Sequence, residues 1–547
     1  MCARAAIRIH LLGGLLLFQP ATAGCSSHGE GRKEAKESQR SAEPAPPPPV
    51  ARTPKKSDAG KREPLKRIFA KKFMAPVYPE PNRRSKRIGY LRAGSVLTAT
   101  SAKPVGNEMC RGGWYGLQTG GFVCNKRDVI AFTGEKLPDR RAAQADRDAK
   151  LPYTYGRILR DRTPVYRRIP SAEELAPPKP RPPLSGSQQG DGPAAMARGA
   201  ADGGAKALPP ASARHAAPFA TGPEESAPSR GQPANGDGTA TAAIQPRDAG
   251  PLTLADLTAE KGGLIERWLM KGFHVALDRE LERGGRKYWQ TQASGFIAYD
   301  RVRTVNDTEF QGIDLEQGEW SLPLGYVLSS KTWCYTLDER ERLRRADRPG
   351  YHHRFRIAGQ REKGGKSYLV SDDGRYFRKS KVARIDAREP PQNVGEDEKW
   401  IDVDLCSQSL VAYVGARPVY ATLISSGRVD LSARPPKDLP TPTGSFRIER
   451  KHLTHTMEGD TAFDGPYSVE DVPYVMYFQL AYALHSAFWH NAFGRPRSHG
   501  CINMAPQDAR WLFNWISPEL PPAWHVAYPV EGTQGTRLYI RGKTPAG

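Results

Sequence analysis

The sequence predicts a mainly β protein: several small modules ahead of one larger C-terminal domain. Three observations carry this. Short apolar stretches with period-two alternation, broken by Gly and Pro, fill residues 67–135, and a related pattern returns twice downstream. From Trp400 onward strand signals dominate again. Between these regions lie tracts of Pro, Ala, Gly and Ser with hardly any large apolar side chain. At 547 residues the chain exceeds one ordinary domain, and 53 Gly, 48 Pro and 38 % hydrophobic residues fit folded modules joined by unstructured segments.

Taken in order, residues 1–25 read as an export signal. Arg4 and Arg8 precede the apolar run Leu11–Phe18, too short to span a bilayer, and small residues follow to Thr22-Ala23-Gly24-Cys25. Ala-Gly-Cys resembles a lipoprotein cleavage box, which implies lipid on Cys25 and an anchor in a bacterial membrane. Cleavage near Ala23 with plain secretion is the alternative, because Thr22 stands where that pattern usually has Leu. Residues 26–65, rich in Ser, Lys, Glu and Pro, read as a disordered tether.

Residues 66–135 end in Gly113-Trp114-Tyr115-Gly116 and Gly121-Phe122-Val123, a pattern similar to a bacterial SH3-like β-barrel domain. The ending recurs at Lys287-Tyr288-Trp289 with Gly295-Phe296-Ile297, and at Ser367-Tyr368-Leu369 with Gly374-Arg375-Tyr376-Phe377. A second such module is expected to be split, over 150–174 and 251–305, with a third at 316–390. The tract 175–250 between the halves of the second cannot bury enough surface to offset chain entropy and reads as a disordered linker.

Seven cysteines are present. Cys2 leaves with the signal and Cys25 is the candidate for lipid. An odd remainder in an oxidising compartment fits two pairs and one reactive thiol. Cys110 and Cys124 flank one expected hairpin and form the favoured pair. Cys334 with Cys406 is the second guess, and all four reduced and buried is the alternative. The formal charge of +22 fits an anionic envelope polymer as partner or simply solvated linkers; no compact nucleic-acid motif is present, so nucleic acid is not expected.

The chemistry concentrates in His485–Asn503, HSAFWHNAFGRPRSHGCIN. A thiol becomes a nucleophile when a neighbouring base favours the thiolate. Cys501 follows His499-Gly500, and His485 precedes Ser498 by about a dozen positions. Gly500 permits close backbone approach, so amides around Cys501 can point at an oxyanion. His485, His490, His499 and Cys501 have zinc-ligand chemistry, but no upstream acid or second Cys completes a standard spacing.

This block resembles the signature of the L,D-transpeptidase (YkuD-type) catalytic domain: a His, then Ser498-His499-Gly500-Cys501-Ile502-Asn503. Upstream, Lys399–Leu405 resembles the family's opening strand, Thr441-Pro442-Thr443-Gly444-Ser445-Phe446 its TPxGxF turn, and Val472–Phe478 the strand leading to the catalytic His. The resemblance covers residues 396–545 and implies a metal-free and cofactor-free β-sandwich. It implies Cys501 as nucleophile and His485 as general base and acid. Ser486 would orient His485 through its carbonyl, with Ser498, His499, Gly500 and Asn503 supporting the loop. Tyr474, Trp489 and His490 are candidates for a substrate wall, Tyr477 and Tyr482 are candidates for a lid or wall with the core-strand reading favoured for Tyr477, and Pro506–Trp515 looks helical with Trp511, Leu512 and Trp515 on one face. The implied activity is a cysteine acyltransferase that makes 3-3 cross-links between peptidoglycan peptide stems, in an exported, monomeric, periplasmic or envelope lipoprotein. A peptidoglycan amidase or carboxypeptidase on the same fold, and a non-catalytic wall-binding lipoprotein, are the alternatives.

Overall fold

The computed structural model describes residues 63–137, 144–175, 253–259, 261–430, 437–460 and 465–545. The signal, Cys25, nearly all of the 26–65 tether and the 176–250 tract lie outside them. The described chain is mainly β throughout, as the alternation implied. Among the described residues, no helix is long and apolar enough to cross a membrane.

The C-terminal domain is two packed sheets and a helix. One sheet has six strands in the order Ile313–Asp314, Arg417–Leu423, Ser409–Val414, Lys399–Asp404, Arg537–Arg541, Gly444–Arg447. The other is built on a long hairpin, Arg450–Gly459 against Tyr467–Gln479, and continues through Tyr482–Ser486 to Ile502–Met504. Ile401, Val403, Leu410 and Ala412 from the first sheet meet Met476, Phe478, Leu484 and Ile502 from the second in one buried core. The helix Pro506–Trp515 closes it with Ala509, Leu512 and Phe513. Trp511 and Trp515 pack half-buried against the same core; they stack on each other at 5.4 Å, and Trp511 also stacks on Tyr420 at 4.1 Å. Asp508 is fully buried in the helix's first turn because it accepts from Tyr420 Oη at 2.8 Å, the Gly312 amide at 2.8 Å and Thr422 Oγ1.

Three smaller β units precede this domain. The first spans residues 67–132, and a Cys110–Cys124 disulfide closes part of it. The second is assembled from two separated segments. Thr154–Ile158 pairs with His274–Arg283 and Val302–Thr304, while Thr163–Tyr166 pairs with Ile265–Leu269 and Phe296–Ala298. The third repeats that connectivity. Leu324–Val327 pairs with Arg354–Lys363 and Val382–Ile385, and Cys334–Leu337 with Leu343–Arg345 and Tyr376–Arg378. The long hairpins of the two copies turn at Gly284-Gly285 and Gly364-Gly365, all four at positive φ, which L side chains rarely adopt. Each also carries a bulge at the same place, after Leu277 and after Ile357.

The expected Cys334–Cys406 pair is not formed. Cys334 is a free thiol in the third unit's own core, with Phe355 and Phe377, beside Asp347. Cys406 lies in the turn after the strand Lys399–Asp404, in another domain.

Candidate active site

Strand pairing sets the strand of His485 beside the one that follows Cys501. Tyr482–Ser486 and Ile502–Met504 run parallel, with His485 opposite Asn503. Residues directly opposite on adjoining strands share a face, so His485 and Asn503 point the same way, and Cys501 lies in the bend that leads into Ile502. Bridges from Ser425 to Asn503 and from Gly427 to Ser498 pin the intervening loop to the first sheet.

His485 is buried, and its Nδ1 lies 2.9 Å from the Ser486 carbonyl oxygen. A carbonyl only accepts, so Nδ1 carries the proton and Nε2 presents a lone pair. The Trp489 ring stacks on the imidazole at 5.9 Å and 26° and fixes its plane. Burial holds the His485 pKa down at about 4, partly opposed by the Ser486 contact. Burial also pushes the half-buried Cys501 thiol up to about 11. At neutral pH the resting pair is therefore a neutral thiol and a neutral imidazole.

Gly500 has φ +121°, and a Cβ there would come within 2.7 Å of the Tyr482 ring. Its carbonyl accepts from Thr441 Oγ1 at 2.7 Å, and that same hydroxyl accepts from the Gly427 amide at 2.9 Å. The Thr-Pro-Thr-Gly turn thus buttresses the nucleophile loop. The Gly500 amide donates to Ser498 Oγ at 3.1 Å, and Ser498 Oγ donates to the Cys501 carbonyl. Because the Gly500 amide is already engaged, the Cys501 amide is the better oxyanion donor.

The remaining expectations divide. His499 stacks on Tyr467 at 4.8 Å and meets an Arg428 guanidinium nitrogen at 3.1 Å. His490 Nδ1 accepts from the Ala492 amide at 3.2 Å, so Nε2 bears the proton; it lies 2.9 Å from Asn503 Nδ2, and turning that amide over gives the otherwise unpartnered Asn503 Oδ1 the Nε2 proton to accept. His490 thus braces Asn503. Tyr474 does not line the site. It is fully buried against Phe513, and its hydroxyl donates to backbone carbonyls of Arg147 and Ala149. Tyr474 shares the inner face of its strand with Met476 and Phe478, while the alternate residues Val475 and Tyr477 belong to the cluster against which Cys501 packs.

Tyr467, which the sequence did not single out, stands near Cys501 with Tyr477, and Tyr482 borders Gly500. Burial and the nearby Cys501 sulfur raise Tyr467 to about 12 and Tyr477 further still. Tyr477 Oη is held 2.6 Å from His455 Nδ1, and Arg450 covers the Tyr477 ring at 4.0 Å. Tyr467 has no motif around it in the sequence, and Tyr477 reads there as an ordinary core strand residue.

Fold and site together define a class: a β-sandwich domain with a tautomer-fixed imidazole on one strand and a thiol in the bend that leads into the adjoining parallel strand. Residues 398–540 match YkuD, the L,D-transpeptidase catalytic domain, so this part of the chain is a domain of that family, a peptidoglycan L,D-transpeptidase and a transferase at the level of the family. The chain is also similar to the catalytic domain of an E. faecium L,D-transpeptidase, with 25 % identity over 26 % of this chain and 98 % of that one and a TM-score of 0.20. Similarity to an L,D-transpeptidase from Stackebrandtia nassauensis is 20 % identity over 28 % of this chain and 60 % of that one, at a TM-score of 0.20. For one from Xylanimonas cellulosilytica the figures are 23 %, 28 % and 64 %, at 0.19. The chain thus spans less than two thirds of the length of the last two. Comparison with curated proteins gave no match.

Proposed function

We propose that Cys501 is the nucleophile of a peptidoglycan L,D-transpeptidase that makes 3-3 cross-links, with His485 as its base and acid. Cys501 Sγ attacks the carbonyl of the third residue of a tetrapeptide stem while its proton passes to His485 Nε2. The oxyanion takes the Cys501 amide. As the tetrahedral adduct collapses, the C–N bond to the terminal D-Ala breaks, and the imidazolium returns the proton to the departing amine. A thioester remains. The side-chain amine of another stem's diamino acid then attacks, gives a proton to His485, and the thiol leaves with it. The observation that carries this reading is the Nδ1–Ser486 carbonyl contact at 2.9 Å, which leaves the lone pair on Nε2, on a strand paired with the one that follows Cys501.

In the same reading the three N-terminal units are SH3-like modules that hold the enzyme on the wall. The export signal places it in the cell envelope, with lipid on Cys25 as membrane anchor. The test is mass spectrometry of the chain from residue 67 incubated with disaccharide-tetrapeptide. A 3-3 linked dimer that disappears in Cys501→Ala is the expected result. Shortened monomers alone would indicate hydrolysis of the thioester, and no product at all would overturn the catalytic reading.

A further inference from the structure

Glu470 and Asp471 stand side by side on the strand Tyr467–Gln479, between Tyr467 and Tyr477, the two tyrosines on which Cys501 acts. Both are buried, and they pair in opposite directions. Asp471 reaches the first unit: the Arg92 guanidinium grips it bidentately, at 2.6 Å to Oδ1 and 2.9 Å to Oδ2. Thr454 Oγ1 donates to it at 2.7 Å, and Tyr155 Oη from the second unit donates to its backbone carbonyl at 2.6 Å. Glu470 reaches the second unit. It pairs with Arg267 and accepts the Ala276 amide at 3.0 Å.

The backbone follows the same plan. On one side the catalytic hairpin bridges to the second unit, Val469 opposite His274. On the other, Arg450–Gly459 pairs with Val526–Ala527, which pairs with Gly89–Arg92 of the first unit. The hairpin is thus the middle of a sheet whose two flanks are N-terminal units. His274 also packs on Phe488 at 5.6 Å and on Trp489 at 6.1 Å, the ring that stacks on His485.

The third unit supplies an internal control. Aligned on the paired glycines of the long hairpin, Arg267, His274 and Ala276 correspond to Asp347, Arg354 and Arg356. In the third unit Arg354 and Arg356 line a cleft of about 240 Å³ with Glu319, Trp320 and Asp372. Placed in the second unit, the same residues would set a carboxylate against Glu470 and a long cation where only a small side chain stands. Docking on the hairpin is therefore written into the second copy, not into the repeat as such.

We propose that Glu470 and Asp471 are positioning residues of the transferase: through them the first and second units set the strand that carries Tyr467 and Tyr477 over Cys501. This rests on the transferase reading above. It adds that the N-terminal units complete the site as well as hold the wall, so their loss shows even on a soluble substrate.

The experiment compares full-length wild type with Glu470→Gln, Asp471→Asn, Arg267→Ala and Arg267→Lys on soluble disaccharide-tetrapeptide. Glu470→Gln keeps the side-chain volume and an acceptor for Ala276, so it removes the ion pair without opening a void. Expected are falls in kcat of roughly tenfold or more for Glu470→Gln, Asp471→Asn and Arg267→Ala, with KM changed less, and recovery of most of that activity in Arg267→Lys. Unfolding midpoints, read in parallel, identify a variant that has lost its fold, and Glu470→Gln with Arg267→Lys then decide the question. Unchanged kcat in folded Glu470→Gln and Asp471→Asn, or a change confined to KM, would overturn the proposal while wild-type turnover leaves the transferase reading standing. An inactive wild type would instead remove the reading on which the proposal rests.

Discussion

The neutral resting pair makes a quantitative prediction about Cys501. With its pKa near 11, the thiolate at pH 7 is about one part in ten thousand of the thiol, against about three in a hundred for an unperturbed cysteine. With His485 near 4, the imidazolium is about one part in a thousand at that pH. Alkylation by iodoacetamide, which reacts with the thiolate, should therefore be slow at pH 7 in the substrate-free enzyme. It should climb about tenfold per pH unit up to about pH 10, without an intermediate plateau. The assay follows modification of the peptide containing Cys501 by mass spectrometry, from pH 5 to pH 11. A preformed thiolate–imidazolium pair would instead give a flat, fast rate across pH 5–8, and that profile would refute the argument from burial. If the steep profile holds, activation belongs to the substrate complex, where His485 takes the proton as sulfur attacks rather than before.

Three further outcomes are expected. Gly500→Ala places a methyl within 2.7 Å of the Tyr482 ring at a φ that L residues resist, so dimer formation should drop on the order of a hundredfold while the chain stays folded; wild-type turnover in this variant would contradict the loop geometry. Lys451 is buried with its ammonium on the Phe513 and Ile516 carbonyls at the helix end, and burial lowers its pKa to about 7. The unfolded chain then binds the extra proton between pH 7 and the ordinary lysine value near 10.5, so this contribution to stability rises with pH across that window, by at most about 1.4 kcal/mol per unit. The stability of wild type relative to Lys451→Met should accordingly increase from pH 7 to pH 10 in parallel thermal melts; a constant gap would count against a neutral buried amine. Replacing Cys110 and Cys124 together by Ala opens a loop with a sequence separation of 14 and should destabilise the first unit by about 3 kcal/mol. Chemical unfolding followed through the buried Trp114 beside that bridge measures it.

The sequence determined the parts that depend on neighbours along the chain. Alternation and glycine turns gave the β class, because a strand's two faces are set by successive residues. The repeated aromatic–glycine endings marked two units that prove to share one strand connectivity, although the tract 175–250 interrupts the first of them. The run from Ser498 to Asn503 announced the thiol and its loop, since a motif of contiguous residues needs no fold to be read. What it could not carry were contacts made across the fold. Tyr474 failed as a wall residue because it lies on the face of its strand that packs into the sandwich core with Met476 and Phe478, opposite Tyr477. Cys334 and Cys406 failed as a pair because nothing in their spacing tells that they belong to different cores.

Only the tertiary structure decided which tyrosines stand at Cys501 and what holds the strand that bears them. Arg92 lies nearly four hundred positions from Asp471, and Arg267 about two hundred from Glu470. Nothing in an isolated arginine or carboxylate names its partner. The partners are chosen when separate units add their strands to one sheet, and burial then makes each unpaired charge too costly to leave. The chemistry of the nucleophile is thus written in a handful of consecutive residues, while the walls and mounting of its site are settled by packing.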